Sequence, residues 1–189
     1  TSFGFVASGA LDQSAVHIHG VEIAPTTDPT TPPPVSVTYA TMFSPYIDMA
    51  MPVDADLMAI SHASGIKNFT LAFVLASDHG IGWQGVGAIT DDGLSNGSTI
   101  LQQVQAVQAA GGNITISFGG AAGQEAALTA PNAATLQAEY QSVIDRYHIT
   151  SIDFDIEGAA VVDLASIHLR NQAIVGLEAA NADLEVRFT

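Results

Sequence analysis

From residue 39 onward the apolar positions fall alternately into short runs of strand length and longer runs spaced as on a helix. That alternation is expected of βα units feeding a parallel sheet. The short runs predict strands at 46–51, 69–76, 114–118, 151–157 and 184–188, and the longer ones predict helices near 55–64, 99–110, 134–147 and 163–180. Gly65 and Gly111-Gly112 stand where two of these helices should stop, and Asp163 is placed to cap the last one. Most strands read as apolar on both faces, as when helices cover the outside and a packed interior fills the inside. Long Gly-rich linkers, 77–98 and 119–133, follow strands, whereas the turns leading into strands, 65–68 and 148–150, are tight. Loops of that asymmetry put a functional face at the strand C-termini of a (β/α)8 barrel or an open α/β sheet. A complete barrel takes about 250 residues. The residues beyond position 38 account for four βα units and a fifth strand, so the chain is expected to hold the first half of a barrel.

Ahead of that domain the pattern changes. Residues 24–38 are rich in Pro and Thr and nearly free of bulky apolar side chains, which predicts an extended, semi-rigid spacer. Residues 1–23 include the alternating Val16-His-Ile-His-Gly-Val-Glu-Ile23 and read as the tail of a β-rich module. Spacers of this kind commonly join carbohydrate-binding modules to catalytic domains of secreted polysaccharide-degrading enzymes.

Composition narrows the function. Among 189 residues there are 4 Lys+Arg against 19 Asp+Glu, a formal charge of −15. So few cations exclude nucleic acid and anionic membrane surfaces as partners. No apolar run approaches the roughly 20 residues of a membrane span. The absence of cysteine removes disulfides, thiolate zinc sites and thiol nucleophiles. Thr1 is not a natural start and no leader is visible, so the chain is expected to be a processed or trimmed piece of a secreted, extracellular protein.

One segment breaks the folding pattern: Ser151-Ile-Asp-Phe-Asp-Ile-Glu-Gly158. On a strand, Asp153, Asp155 and Glu157 share one face while Ile152, Phe154 and Ile156 share the other. Three carboxylates on a face that should be core violate the burial rule, and such violations gather at functional sites. A solvated acidic edge strand is the plain alternative. A Mg²⁺ or Ca²⁺ site is another, although residues two apart on a strand are spaced by roughly 6.6 Å, awkward for one ion. The spacing suits proton sharing best: carboxylates stacked in a partly desolvated pocket keep at least one proton near neutrality. Glu157, nearest the strand's C-terminal end, is placed to offer a proton to a substrate, as a glycosidase general acid does.

With Ser117-Phe-Gly-Gly120 closing the third predicted unit, the Asp153-x-Asp155-x-Glu157 motif resembles the paired signatures of family-18 glycoside hydrolases, the retaining chitinases and their relatives. Pro45-Tyr-Ile-Asp48, Phe69-Thr-Leu-Ala-Phe73 and Ser117-Phe-Gly-Gly-Ala-Ala-Gly123 precede it in the order found in bacterial chitinases with compact barrels. The resemblance covers about 39–189 and implies the first half of a TIM barrel of chitinase type. It implies cleavage of β-1,4-linked N-acetylglucosamine polymers by substrate-assisted retaining catalysis, without a cofactor. Glu157 would be the general acid/base, Asp155 would hold the acetamido N–H, Asp153 would share its proton, and Ser117 would hydrogen-bond that pair. Gly119 and Gly120 would leave room for a sugar ring. The family's additional Asp at the start of the fourth-strand motif is Thr150 here.

Other candidates carry two readings each. Trp83 is either a sugar-stacking platform or a packing plug, and Tyr46 and Asp48 either line the cleft or, for Tyr46, fill the core. His17 and His19 lack a third metal ligand nearby, and no phosphate loop is present. The expected partners are chitin or N-acetylglucosamine oligosaccharides, together with a second copy of the chain or the missing half-barrel. An endo-β-N-acetylglucosaminidase acting on N-glycans and a non-catalytic chitin-binding lectin on the same scaffold are the rival functions.

Overall fold

A computed structural model describes residues 43–51 and 56–189. The β-rich tail at 1–23, the spacer at 24–38 and the histidines at positions 17 and 19 lie outside the described residues. In chain order the elements are β1 (Tyr46–Asp48), α1 (Leu57–Ser64), β2 (Asn68–Ser77), β3 (Gly80–Trp83), α2 (Ile100–Ala109), β4 (Asn113–Gly119), α3 (Ala133–Tyr147), β5 (Ser151–Asp155), α4 (Leu164–Ala180) and β6 (Glu185–Phe188). Single 3₁₀ turns at Ala126–Leu128 and Gly158–Val161 follow β4 and β5.

Five of the strands form a parallel sheet in the order β1-β2-β4-β5-β6, each joined to the next by one crossover helix. This is the strand order of a half barrel, with β1 and β6 as its edges. Local chemistry starts and stops the helices where the sequence predicts. Asp56 accepts from Ala59 N and Asp163 from Ser166 N, Thr99 and Gln102 form a capping box, and Gly65 closes α1 at φ 77°.

Three expectations need correction. The linker at 77–98 is not all loop: β3 folds back on β2 as an antiparallel hairpin, with Val74 opposite Trp83. The first strand is shorter than predicted, because the chain turns after Asp48, where Met51 N donates to Asp48 O at 3.1 Å. Nor are the strands apolar on both faces. Phe69, Leu71, Val74, Ile114, Ile116, Phe118, Ile152 and Phe154 form one buried apolar cluster with residues of the helices. The alternating positions Thr70, Thr115, Ser117, Ser151 and Asp153 are polar and also buried. That inner face is satisfied by its own hydroxyls, as where Thr115 Oγ1 donates to Ser151 Oγ at 3.0 Å.

Candidate active site

The row of carboxylates runs from the interior to the rim. Asp153 is 3% exposed, Asp155 is half-buried and Glu157 is exposed. The strand ends at Asp155 and not, as predicted, at Glu157. Gly119 lies opposite Asp155 in the β4–β5 register, and Gly120 N donates to Asp155 O at 2.8 Å. Beyond that bond Glu157 keeps an extended backbone (φ −126°, ψ 171°), and Gly158, at φ 59°, turns the chain into the 3₁₀ segment. Glu157 therefore stands on the open rim at the strand's C-terminal end, and among the described residues nothing hydrogen-bonds its side chain.

Asp153 sits at the centre of a hydroxyl cluster. Ser117 Oγ donates to Asp153 Oδ2 at 2.6 Å and Tyr46 OH donates to the same oxygen at 2.7 Å. Thr189 Oγ1 donates to Asp153 Oδ1 at 3.0 Å and lies 2.7 Å from Tyr46 OH. Each hydroxyl has one hydrogen, so with both turned toward Asp153 the Tyr46–Thr189 contact carries none. Burial, with the Asp153 bond and charge adding to it against the opposing Thr189 bond, pushes the Tyr46 phenol up to about 12. It stays a donor throughout the neutral range. Partial burial, then the charges of Glu157 and Asp153, hold the Asp155 carboxyl above its ordinary value. The surroundings of Asp155 thus favour its keeping a proton.

The remaining candidates divide. Tyr46 is on the concave side and not in the core: it is 43% exposed and its ring lies 5.9 Å from that of Phe73. Asp48 shares that side of β1 and is exposed. Trp83 does not face the cleft. It is buried, its Nε1 donates to Tyr147 OH at 2.7 Å and its ring meets the Tyr147 ring edge-on, so it is a packing plug. The two glycines are required by the protein's own packing: a Cβ on Gly119 would collide with the Asp155 carbonyl, and one on Gly120 with the Phe73 ring. Among the described residues no group of three acidic or histidine side chains is arranged to hold a metal ion.

No family model matches the chain. Over 133 residues it is 33% identical to a probable bifunctional chitinase/lysozyme of Escherichia coli, a match that covers 70% of this chain and 14% of that protein. Active domain 2 of a thermostable chitinase from Pyrococcus furiosus, crystallised as catalytic-site mutants with chito-oligosaccharides, superposes at a TM-score of 0.66 with 29% identity over 77% of this chain and 44% of that one. A GH18 chitinase from Pseudoalteromonas aurantia shares the fold at a TM-score of 0.51 and 18% identity, over 77% of this chain and 55% of that one. This is the family-18 chitinase fold. The chain spans 14% of its Escherichia coli relative and 44% of the Pyrococcus domain.

On this family-18 scaffold, sequence reasoning missed two residues that touch the candidate site. Thr189 follows a four-residue strand, and its contact with Tyr46 bridges 143 positions, which no local pattern reveals. Gln84 reaches Asp48 from the hairpin that replaces the expected loop. A strand at β3 would have pointed to it, but Gly80-Ile-Gly-Trp83 is too short and glycine-rich to carry a period-2 signal.

Proposed function

We propose that the chain provides the acid/base side of a chitin-cleaving site: a retaining, substrate-assisted glycosidase acting on β-1,4-linked N-acetylglucosamine polymers outside the cell. The observation that carries the reading is the graded carboxylate row, anchored inside by Ser117 and Tyr46 on Asp153 and ending in the exposed Glu157. Likeness to chitinases, including one solved with chito-oligosaccharides, supports the substrate class.

In the first step the Glu157 carboxyl gives its proton to the glycosidic oxygen as the bond to the anomeric carbon breaks. The substrate's own acetamido oxygen attacks that carbon, leaving an oxazolinium ion and a Glu157 carboxylate. Asp155 accepts the acetamido N–H and offsets the positive charge that develops there. Asp153, held by its hydroxyls, receives or returns the Asp155 proton as that side chain turns. Glu157 then takes a proton from water, whose oxygen attacks the anomeric carbon and opens the ring with retention.

Glu157→Gln in the intact chain tests this. Hydrolysis of chitin oligosaccharides should fall by about 10²- to 10⁴-fold, the usual worth of a positioned acid, with oligosaccharide binding retained. Undiminished turnover would remove Glu157 from the role. Binding without cleavage when the second half of the barrel is supplied would favour a lectin.

A further inference from the structure

Gln84 has φ 55°, a left-handed backbone that a β-carbon disfavours and that glycine or asparagine ordinarily fills. It occupies the inner positions of two overlapping turns, in which Gly85 N donates to Gly82 O and Val86 N to Trp83 O, both at 3.1 Å. Glycine would suit this place better, and Gly85 beside it, also left-handed at φ 72°, is one. Backbone strain of this kind persists where the surrounding structure holds it, and it gathers at functional sites.

What holds it is visible on both sides. Trp83 is fastened on the helix side by its bond to Tyr147 OH. Gln84 N donates to Phe73 O at 2.9 Å, tying the turn to β2. The Gln84 side chain then crosses to the concave side, where Nε2 donates to Asp48 Oδ1 at 3.0 Å and lies 3.2 Å from Ala72 O. Ala50 N donates to the same Asp48 oxygen at 2.9 Å. Both fixed donors use Oδ1, and among the described residues Oδ2 has no partner. Asp48 is exposed, two residues beyond Tyr46 on the same face of β1 and so nearer the strand's C-terminal end.

From this we infer that Gln84 is a positioning residue that locks the Asp48 carboxylate with one oxygen presented to the cleft, as an acceptor for a hydroxyl or amide N–H of a bound sugar. The inference rests on the chitin reading above and adds a binding contact on β1, across the sheet from the carboxylate row. A carboxylate with one oxygen already held orders less on binding than a free one, which favours affinity. It also explains why a glutamine stands where the backbone prefers glycine.

The test is calorimetric titration of the full chain with N-acetylglucosamine tetramer, together with thermal melts. Gln84→Gly removes the side chain and the backbone strain at once. Affinity should fall about three- to tenfold, less than the loss of a whole charge-assisted hydrogen bond because the Asp48 acceptor remains, while the melting temperature holds or rises. Gln84→Glu, which sets a second carboxylate against Asp48, should weaken binding at least as much. Asp48→Asn should lower affinity similarly, and combining it with Gln84→Gly should add little, because both act through one carboxylate. Unchanged affinity in Gln84→Gly and Gln84→Glu, or fully additive losses, would overturn the inference while leaving the chitin reading intact. No binding by the unsubstituted chain would overturn both.

Discussion

Along β4 and β5 the residues turned toward the helices are Ile114, Ile116, Phe118, Ile152 and Phe154, and those turned toward the concave side are Thr115, Ser117, Ser151, Asp153 and Asp155. The two sets alternate on the same ten or so residues of backbone, and Ser117 and Ser151 are as thoroughly buried as Ile116 and Ile152. Burial therefore does not separate them. The outer set is held by non-directional packing, which tolerates any apolar shape of the right volume. The inner set, apart from Asp155, is held by hydrogen bonds that fix angle as well as distance, and it loses more by a mismatch. One face of each strand supplies stability, and the other spends some of it to keep Asp153 oriented.

The largest effect should come from the outer face. Phe154 stacks at 5.4 Å from both Phe118 and Phe188 and meets the edge of Tyr140 at 5.2 Å. Phe154→Ala removes all three contacts and leaves a cavity, at a cost of about 3–5 kcal/mol in urea unfolding. A loss below about 1 kcal/mol would mean the outer layer is not the stabilising one.

How much of this contrast can be read from the sequence depends on the range of the interaction. The helices and the five parallel strands were legible because their periods repeat over whole elements and because caps such as Asp163 and Gly65 act locally. The two motifs of the site were legible because both are contiguous, and three acidic residues in alternation break a strand pattern visibly. Inner-face polarity was not legible, because Thr70, Thr115 and Ser151 look like neutral strand residues until their partners are known. Tyr46 with Asp153, 107 residues apart, and Trp83 with Tyr147, 64 apart, depend on how the sheet and helices pack and leave no local trace. Trp83 shows the hazard: a lone tryptophan in a glycine-rich loop suits a sugar platform and a core plug equally well, and only the Tyr147 hydroxyl decides between them.

Ser117→Ala probes the inner face at its most buried point. Asp153 would lose its 2.6 Å donor while keeping Tyr46 on the same oxygen and Thr189 on the other. Because two donors remain, the expected loss is about 1–2 kcal/mol, clearly less than for Phe154→Ala under the same urea conditions. Equal losses at the two positions would show that the hydroxyl cluster is as much a part of the stabilising core as the aromatic stack, and the division between faces would dissolve.

The smallest effect should have the opposite sign. Partial burial and the charges of Glu157 and Asp153 hold the Asp155 carboxyl above its ordinary value. Between the unfolded value, near 4, and the raised folded value, the folded chain binds more protons than the unfolded one. Stability contributed by this group therefore falls as pH rises through that window, and it stays at its lower level above it. Asp155→Asn cannot ionise, so at pH 7 it should be more stable than the unsubstituted chain. The gain should stay under about 1 kcal/mol, because the carboxyl is partly solvated, and should appear as a melting temperature higher by roughly 2 °C. Repeating the melts at pH 3 should shrink the difference, since Asp155 is then protonated in both states. A gain independent of pH, or one that grows toward acid, would mean that the charges around Asp155 do not oppose its ionisation, and the middle step of the carboxylate gradient would lose its electrostatic basis.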